Sequence, residues 1–206
     1  MSPFIESIWF QQGQMPLLNW HQDRFTHTQM ANWHTITYPD LKTCILQNAV
    51  MPTDNRKYKC RVLYGPDKTE TTFTPYLPKK ILNLRIIQAP LIDYQFKSAD
   101  RQVLNHLTAT LPPLTEVLIL QKGLLTDSSF SNLAFFDGWN WHTPSVPLLA
   151  GVHRQKLLDE KILLPRAIKL TDLEKYQKIR LINAMVSWED TWELPISAIQ
   201  MEVIEQ

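Results

Sequence analysis

Fourteen prolines stand against five glycines in this chain, and that imbalance is the first constraint on how it can fold. Proline fixes φ, lacks an N–H and sits in sheets only at edges and strand ends, whereas glycine is the residue of loose tethers. A chain punctuated in this way favours short elements closed by rigid turns. Its 206 residues suffice for one large domain or two small ones, each burying its own core.

The patterning supplies those elements in mixed order. Residues 4–10 read as a strand, Gln12-Gly13 as a turn into a second short strand ending near Leu18, and residues 20–33 as a polar helix capped by Asn19 with Gln22. A second helix follows Pro39, with Leu41, Cys44, Ile45 and Ala49 at helical spacing. Strand patterns then cover 58–64, 69–76 and 81–88, and the extended Ala89-Pro90-Leu91-Ile92-Asp93 marks a domain boundary. Beyond it, a helical run places Ala99, Val103, Leu104 and Leu107 on one face. Strands are expected at 117–120, 124–126, 132–136 and 139–143, a helix at 152–159, a strand at 167–170, a capping box of Thr171 with Glu174, and a strand at 179–188.

Composition excludes several function classes. With 44% hydrophobic and 20% charged residues and a formal net charge of +1, no field favours nucleic acid or an anionic membrane. Cys44 and Cys60 lie too far apart for a metal or redox dithiol motif, and no signal peptide opens the chain, so a reduced, cytoplasmic setting is expected. No apolar run approaches the ~20 residues of a membrane span. Phosphate-cradling glycine loops, zinc-ligand spacings and nucleophile elbows are all missing, and His21 reads as a surface histidine of a polar helix.

Four weak features remain. Lys97 stands where an extended approach gives way to a helical run; positive charge at a helix N-terminus lowers an amine's pKa, although most lysines are simply solvated. Asp127 precedes small hydroxylated residues, as an acid in a turn or cap also does. Pro147-Leu148-Leu149-Ala150-Gly151-Val152-His153-Arg154 brings backbone N–H groups to a helix start, which attracts anions but is a property of every helix. Arg24 offers a forked guanidinium or an ordinary surface charge. Together, a lysine, an acid, an anion-binding helix end and an arginine are the parts pyridoxal phosphate requires: an amine for its aldehyde, an acid for its pyridine nitrogen, and donors for its phosphate.

Nearly the whole chain resembles the class IV aminotransferase family of pyridoxal-phosphate enzymes, which includes branched-chain and D-amino acid aminotransferases and aminodeoxychorismate lyase. Phe4-Ile5-Glu6-Ser7-Ile8, Pro16-Leu17-Leu18 and His21-Gln22-Asp23-Arg24-Phe25 are similar to the family's opening, which implies that Arg24 contacts the cofactor phosphate. Lys97 matches the Schiff-base lysine, and Lys97-Ser98-Ala99-Asp100-Arg101 resembles the lysine-to-arginine spacing of the lyase branch. Asp127 falls where the family carries glutamate against the pyridine nitrogen, one methylene longer, and Asn132 matches the asparagine that follows. Gly151-Val152-His153-Arg154 is similar to the phosphate-binding turn, where the N–H groups of Val152 and His153 act. Asn183-Ala184-Met185 resembles the lyase branch and implies substrate binding at Asn183.

The resemblance implies an α/β (α+β) fold of the two-domain, D-amino acid aminotransferase-like type (fold type IV), shortened: a small N-terminal domain over 1–90 and a larger barrel-like, cofactor-binding domain over 91–206, with the cofactor between them. It also implies a homodimer, a small-molecule amino substrate, and neither nucleic acid nor membrane as partner. Lys97 then serves as Schiff-base amine and general base, with Asp127 supporting a protonated pyridine. The segment at Asn183 favours a lyase that releases pyruvate. An aminotransferase acting on branched-chain or D-amino acids, a cofactor-binding protein without turnover, and a plain interaction domain stay open beside it.

Overall fold

A computed structural model describes residues 3–89 and 92–205. The chain divides into two compact units, one of residues 1–78 and 96–100 and the other of 79–95 and 101–206. The expected boundary at 89–93 includes Pro90 and Leu91, which lie outside the described residues. Residues 79–89 group with the second unit, because the strand they contain pairs there.

The first unit is built on β1 (Phe4–Phe10), β2 (Tyr58–Tyr64) and β3 (Thr69–Pro75), an antiparallel sheet in the order β1-β2-β3 with Phe4 opposite Tyr64 and Phe10 opposite Tyr58. Alternate residues of β2 are buried, the period of a sheet with one face on a core. Against that face lie α1 (Leu18–Trp33) and α2 (Leu41–Asn48), so that Ile8, Phe10, Phe25, Leu41, Ile45, Cys60, Val62 and Tyr64 are fully enclosed. Each such side chain contributes about 1.5–3 kcal/mol of burial. α2 starts on Asp40, whose carboxylate accepts the Lys42 N–H at 2.8 Å. α1 begins earlier than its pattern predicts. Gln11 and Gln14 form one bridge in place of a second strand, and Leu17 is the N-cap with no side-chain bond. Gln22 is not part of a capping box; its amide oxygen accepts the Leu41 N–H at 2.7 Å and its nitrogen donates to the Pro39 carbonyl at 3.0 Å, tying α1 to α2.

The second unit has two sheets. One orders as β12-β4-β5-β6, using β4 (Asn83–Gln88), β5 (Thr115–Gln121), β6 (Leu124–Leu125) and β12 (Ile199–Glu205), with β12, β4 and β5 parallel. The other orders as β11-β10-β7-β8-β9, using β7 (Asn132–Phe136), β8 (Trp141–Pro144), β9 (Leu163–Arg166), β10 (Lys178–Ile182) and β11 (Trp192–Pro195). Leu84, Ile86 and Leu118 of the first meet Leu133, Phe135, Ile179 and Leu181 of the second in one core. α3 (Gln102–Ala109) and α4 (Val152–Asp159) complete the unit.

Several expected elements move. The strand expected at 167–170 lies at β9, and Lys169 with Asp172, not Thr171 with Glu174, closes the turn that follows, Asp172 accepting the Lys169 N–H at 3.0 Å. The strand expected at 179–188 ends at Ile182. The helix expected directly after Lys97 starts at Gln102, because Phe96–Asp100 is taken up by β1: Phe4 bridges Ser98, the Ile5 N–H donates to the Lys97 carbonyl at 2.9 Å, and the Ala99 N–H donates to the Pro3 carbonyl at 2.8 Å.

Candidate functional site

In the first unit the chemistry starts from an acid on an apolar face. Strand geometry puts Glu6 on the same face of β1 as Phe4, Ile8 and Phe10, so its carboxylate is carried into the core with 0% exposure. Such a charge persists only if paired. α1 buries His21, Phe25, Thr28 and Gln29, and this face, with Arg24 one turn beyond His21, supplies the partners. His21 Nδ1 lies 2.6 Å from Glu6 Oε2, and Arg24 grips both oxygens, Nε to Oε1 at 2.9 Å and an Nη to Oε2 at 2.5 Å. Burial alone would raise the Glu6 pKa; the Arg24 charge and the His21 contact outweigh it and hold the acid at about 2. Burial pushes the His21 pKa down, opposed by Glu6, so the neutral ring donates from Nδ1, and Nε2 is enclosed without a hydrogen-bond partner among the described residues. His21 is therefore no surface residue.

The bidentate grip fixes the plane of the Arg24 guanidinium, which keeps 11% side-chain exposure. Lys97 is half-buried beside the same strand, its backbone held through its carbonyl by Ile5. With α3 beginning at Gln102, Lys97 stands outside the first helical turn, where the dipole acts. The His21 ring feels the Lys97 charge.

In the second unit, Asp127 and Asn132 bridge across the base of the loop 128–131. Asp127 is 4% exposed; its Oδ1 accepts from Asn132 Nδ2 at 2.8 Å and its Oδ2 from the Leu149 N–H at 2.9 Å. Asn132 Nδ2 also donates to the Leu149 carbonyl at 2.9 Å, so the loop and the approach to α4 are stitched together. Burial raises the Asp127 pKa to about 6, against these hydrogen bonds and the Arg154 charge. A buried carboxylate held this high is one that a cationic N–H would return to the ionised state.

Next to it, α4 opens on Gly151, which has no side-chain cap. A Cβ on Gly151 would stand 1.9 Å from Asn132 Oδ1, so only glycine lets the asparagine amide lie against the helix start. The N–H groups of Val152 and His153 belong to the first turn, which has no intrahelical acceptor. The side chains here are occupied structurally. His153 Nδ1 donates to the Asn183 carbonyl at 2.8 Å; buried Arg154 donates to Thr143 Oγ1 at 3.1 Å and the Pro144 carbonyl at 2.8 Å. The Asn183 amide accepts the Met185 N–H at 2.8 Å and donates to Ser131 Oγ at 3.2 Å.

The first unit thus offers a fixed arginine and a lysine, and the second a buried acid beside a helix start with no side-chain cap; each is a group of a kind that pyridoxal phosphate takes. The family model for class IV amino-transferases matches residues 4–190. The chain belongs to the class IV aminotransferase family and is a pyridoxal-phosphate-dependent enzyme of fold type IV. It is 32% identical to a protein from Haemophilus somnus whose crystal structure is that of a candidate 4-amino-4-deoxychorismate lyase, with a TM-score of 0.82 over 90% of this chain and 97% of that one. An uncharacterised protein of Haemophilus influenzae is 30% identical over 185 residues, 90% of this chain and 98% of its own length. A candidate amino-acid aminotransferase from Mesorhizobium loti shares the fold, with a TM-score of 0.81 at 19% identity over 99% and 100% of the two chains. No helix among the described residues is long and apolar enough to cross a membrane.

Proposed function

We propose that this enzyme is a 4-amino-4-deoxychorismate lyase, releasing pyruvate and leaving 4-aminobenzoate. The observation that carries the lyase reading is the 32% identity to the Haemophilus somnus protein along almost its full length; the resemblance of Asn183-Ala184-Met185 to the lyase branch supports it.

In this reading Lys97 is the residue that would hold the cofactor through its amine and would move protons at the substrate when that amine is free. The cofactor, when bound, serves as the electron sink for charge developing at the substrate carbon. Asp127 would accept a hydrogen bond from the pyridine nitrogen, its carboxylate oriented by Asn132. Arg24, fixed by Glu6, and the N–H groups of Val152 and His153 receive the phosphate. Aspartate is one methylene shorter than glutamate but chemically equivalent, and the bonds from Asn132 and Leu149 hold its carboxylate in one orientation, which supports this role. A homodimer in the cytoplasm completes the proposal, and sedimentation equilibrium decides the assembly.

The test is direct. Purified protein with added pyridoxal phosphate is expected to give a visible band; borohydride is expected to bleach that band while fixing the cofactor to the chain, and Lys97→Ala removes both effects. Pyruvate and 4-aminobenzoate from aminodeoxychorismate support the lyase. Amino transfer dependent on a keto acid, from a branched-chain or D-amino acid, would assign it to the transaminases instead, and cofactor uptake with neither product would make it a non-catalytic binder.

A further inference from the structure

The loop that carries Asp127 is held at its far end by groups that have no place in the cofactor reading. Every hydrogen-bonding group of Ser129 is taken. Its N–H and Oγ donate to Glu116 Oε1 at 3.1 and 2.5 Å, and its carbonyl accepts from an Nη of Arg101 at 2.6 Å. Glu116 is a fully buried acid on β5, ion-paired with Lys79, and Arg101 is itself fixed by Tyr94 Oη at 2.9 Å. Lys79 Nζ also lies 4.1 Å over the Phe130 ring, and Phe130 packs edge-on against Trp192.

Inside the loop, Ser128 and Ser131 close on each other, Ser128 N–H to Ser131 carbonyl at 2.8 Å and Ser131 N–H to Ser128 Oγ at 3.0 Å. A turn closed on itself moves as one piece. The direction of the Asp127 carboxylate at its base therefore depends on the grip at the tip as well as on the bonds from Asn132 and Leu149. Buried hydrogen bonds to an ionised acid or a guanidinium are directional and costly to break, which suits them to that task.

We propose that Glu116 and Arg101 clamp Ser129 and thereby aim Asp127, making both of them positioning residues for the acid that meets the cofactor's pyridine nitrogen. The proposal rests on the cofactor reading above for its consequence, but the clamp itself is a property of the cofactor-free chain.

The experiment separates the two. Hydrogen exchange of peptides spanning 127–132 is measured in cofactor-free wild type, Arg101→Ala, Ser129→Ala and Glu116→Gln. Pyridoxal phosphate affinity is then measured by absorbance titration, with Leu173→Ala, a buried core change in the same unit that removes none of the clamp's hydrogen bonds, as the stability control. Arg101→Ala and Ser129→Ala are expected to speed exchange at least tenfold and to weaken cofactor binding at least tenfold, whereas Leu173→Ala lowers Tm and leaves affinity within threefold. Glu116→Gln retains an acceptor for Ser129 and is expected to fall between. Unchanged exchange in both clamp variants overturns the clamp; faster exchange with unchanged affinity overturns its bearing on Asp127. If wild type takes up no pyridoxal phosphate, the cofactor reading and this consequence fall together, and the exchange data still decide whether the clamp exists.

Discussion

Glu6 and Asp127 are both buried acids, and they respond to pH in opposite senses. Glu6 is held at about 2, below its usual 4.5, so its contribution to stability is complete above pH 4.5 and is lost as pH falls through 2. At ~1.4 kcal/mol per pKa unit this is about 3 kcal/mol. Glu6→Gln removes the charge that neutralises Arg24 and turns an amide donor toward it. Breaking a buried pair in this way costs about 3–5 kcal/mol. Urea melts at pH 7 are expected to return that loss, and the variant's profile is expected to lack the acid limb; profiles that run parallel from pH 5 to pH 2 would refute the pairing. Asp127 is raised from its usual 3.8 to about 6, so in the cofactor-free protein its ionisation opposes folding: stability falls as pH rises from 4 through 6 and is level above. The stability difference between wild type and Asp127→Asn is therefore expected to shift against wild type by up to about 3 kcal/mol across that window. Asparagine also loses the bond from Leu149, which offsets the whole curve without changing its slope. A difference independent of pH would show that Asp127 is not strained by burial.

At the scale of elements, the meeting of the Asp127 loop with α4 is what glycine at 151 permits. Gly151 has ordinary extended dihedrals, so a substitution there is opposed by crowding alone. Gly151→Ala is expected to cost about 1–3 kcal/mol, as overpacked sites do, by driving Asn132 off Asp127 and Leu149. In the Asn132→Ala background the same change is expected to cost far less, and a double-mutant cycle by thermal unfolding gives the coupling. Additive costs would mean that some other group resists the methyl. α4 was legible because its start follows glycine and its pattern is local, and β1 because its strand-forming residues run up to the turn at Gln12-Gly13. The segment at Lys97 was not. Ala99, Val103, Leu104 and Leu107 keep helical spacing, yet Phe96–Asp100 pairs with β1, which lies more than ninety residues earlier. The Glu6 partnership was half legible: a charged residue on the apolar face of a strand asks for a partner, but nothing local says that His21 and Arg24 answer it. Glu116 carried no such signal, since β5 is buried on both faces. The partner of β12, parallel β4, is over a hundred residues away and has no local trace.

Across the whole molecule, the chain passes from one unit to the other after residues 78, 95 and 100, and the residues assigned to the cofactor fall on both. Lys97 and Arg24 belong to the first unit, Asp127, Asn132 and the start of α4 to the second. A ligand that binds only the folded state stabilises by mass action, about 2.7 kcal/mol at a hundredfold excess over Kd. Where that stabilisation is felt depends on which groups touch the ligand. If one molecule of pyridoxal phosphate engages all of these residues, hydrogen exchange should slow together at 4–8, 96–99, 127–132 and 149–154, with one apparent affinity. Lys97→Ala should retain the slowing at 127–132 and 149–154, at a higher concentration of cofactor, because the phosphate and ring contacts survive the loss of the covalent bond. Slowing confined to the second unit, in wild type at saturating cofactor, would mean that Arg24 is fixed by Glu6 for the fold alone. Slowing in both, at two different affinities, would mean that the two sets of residues bind separate molecules.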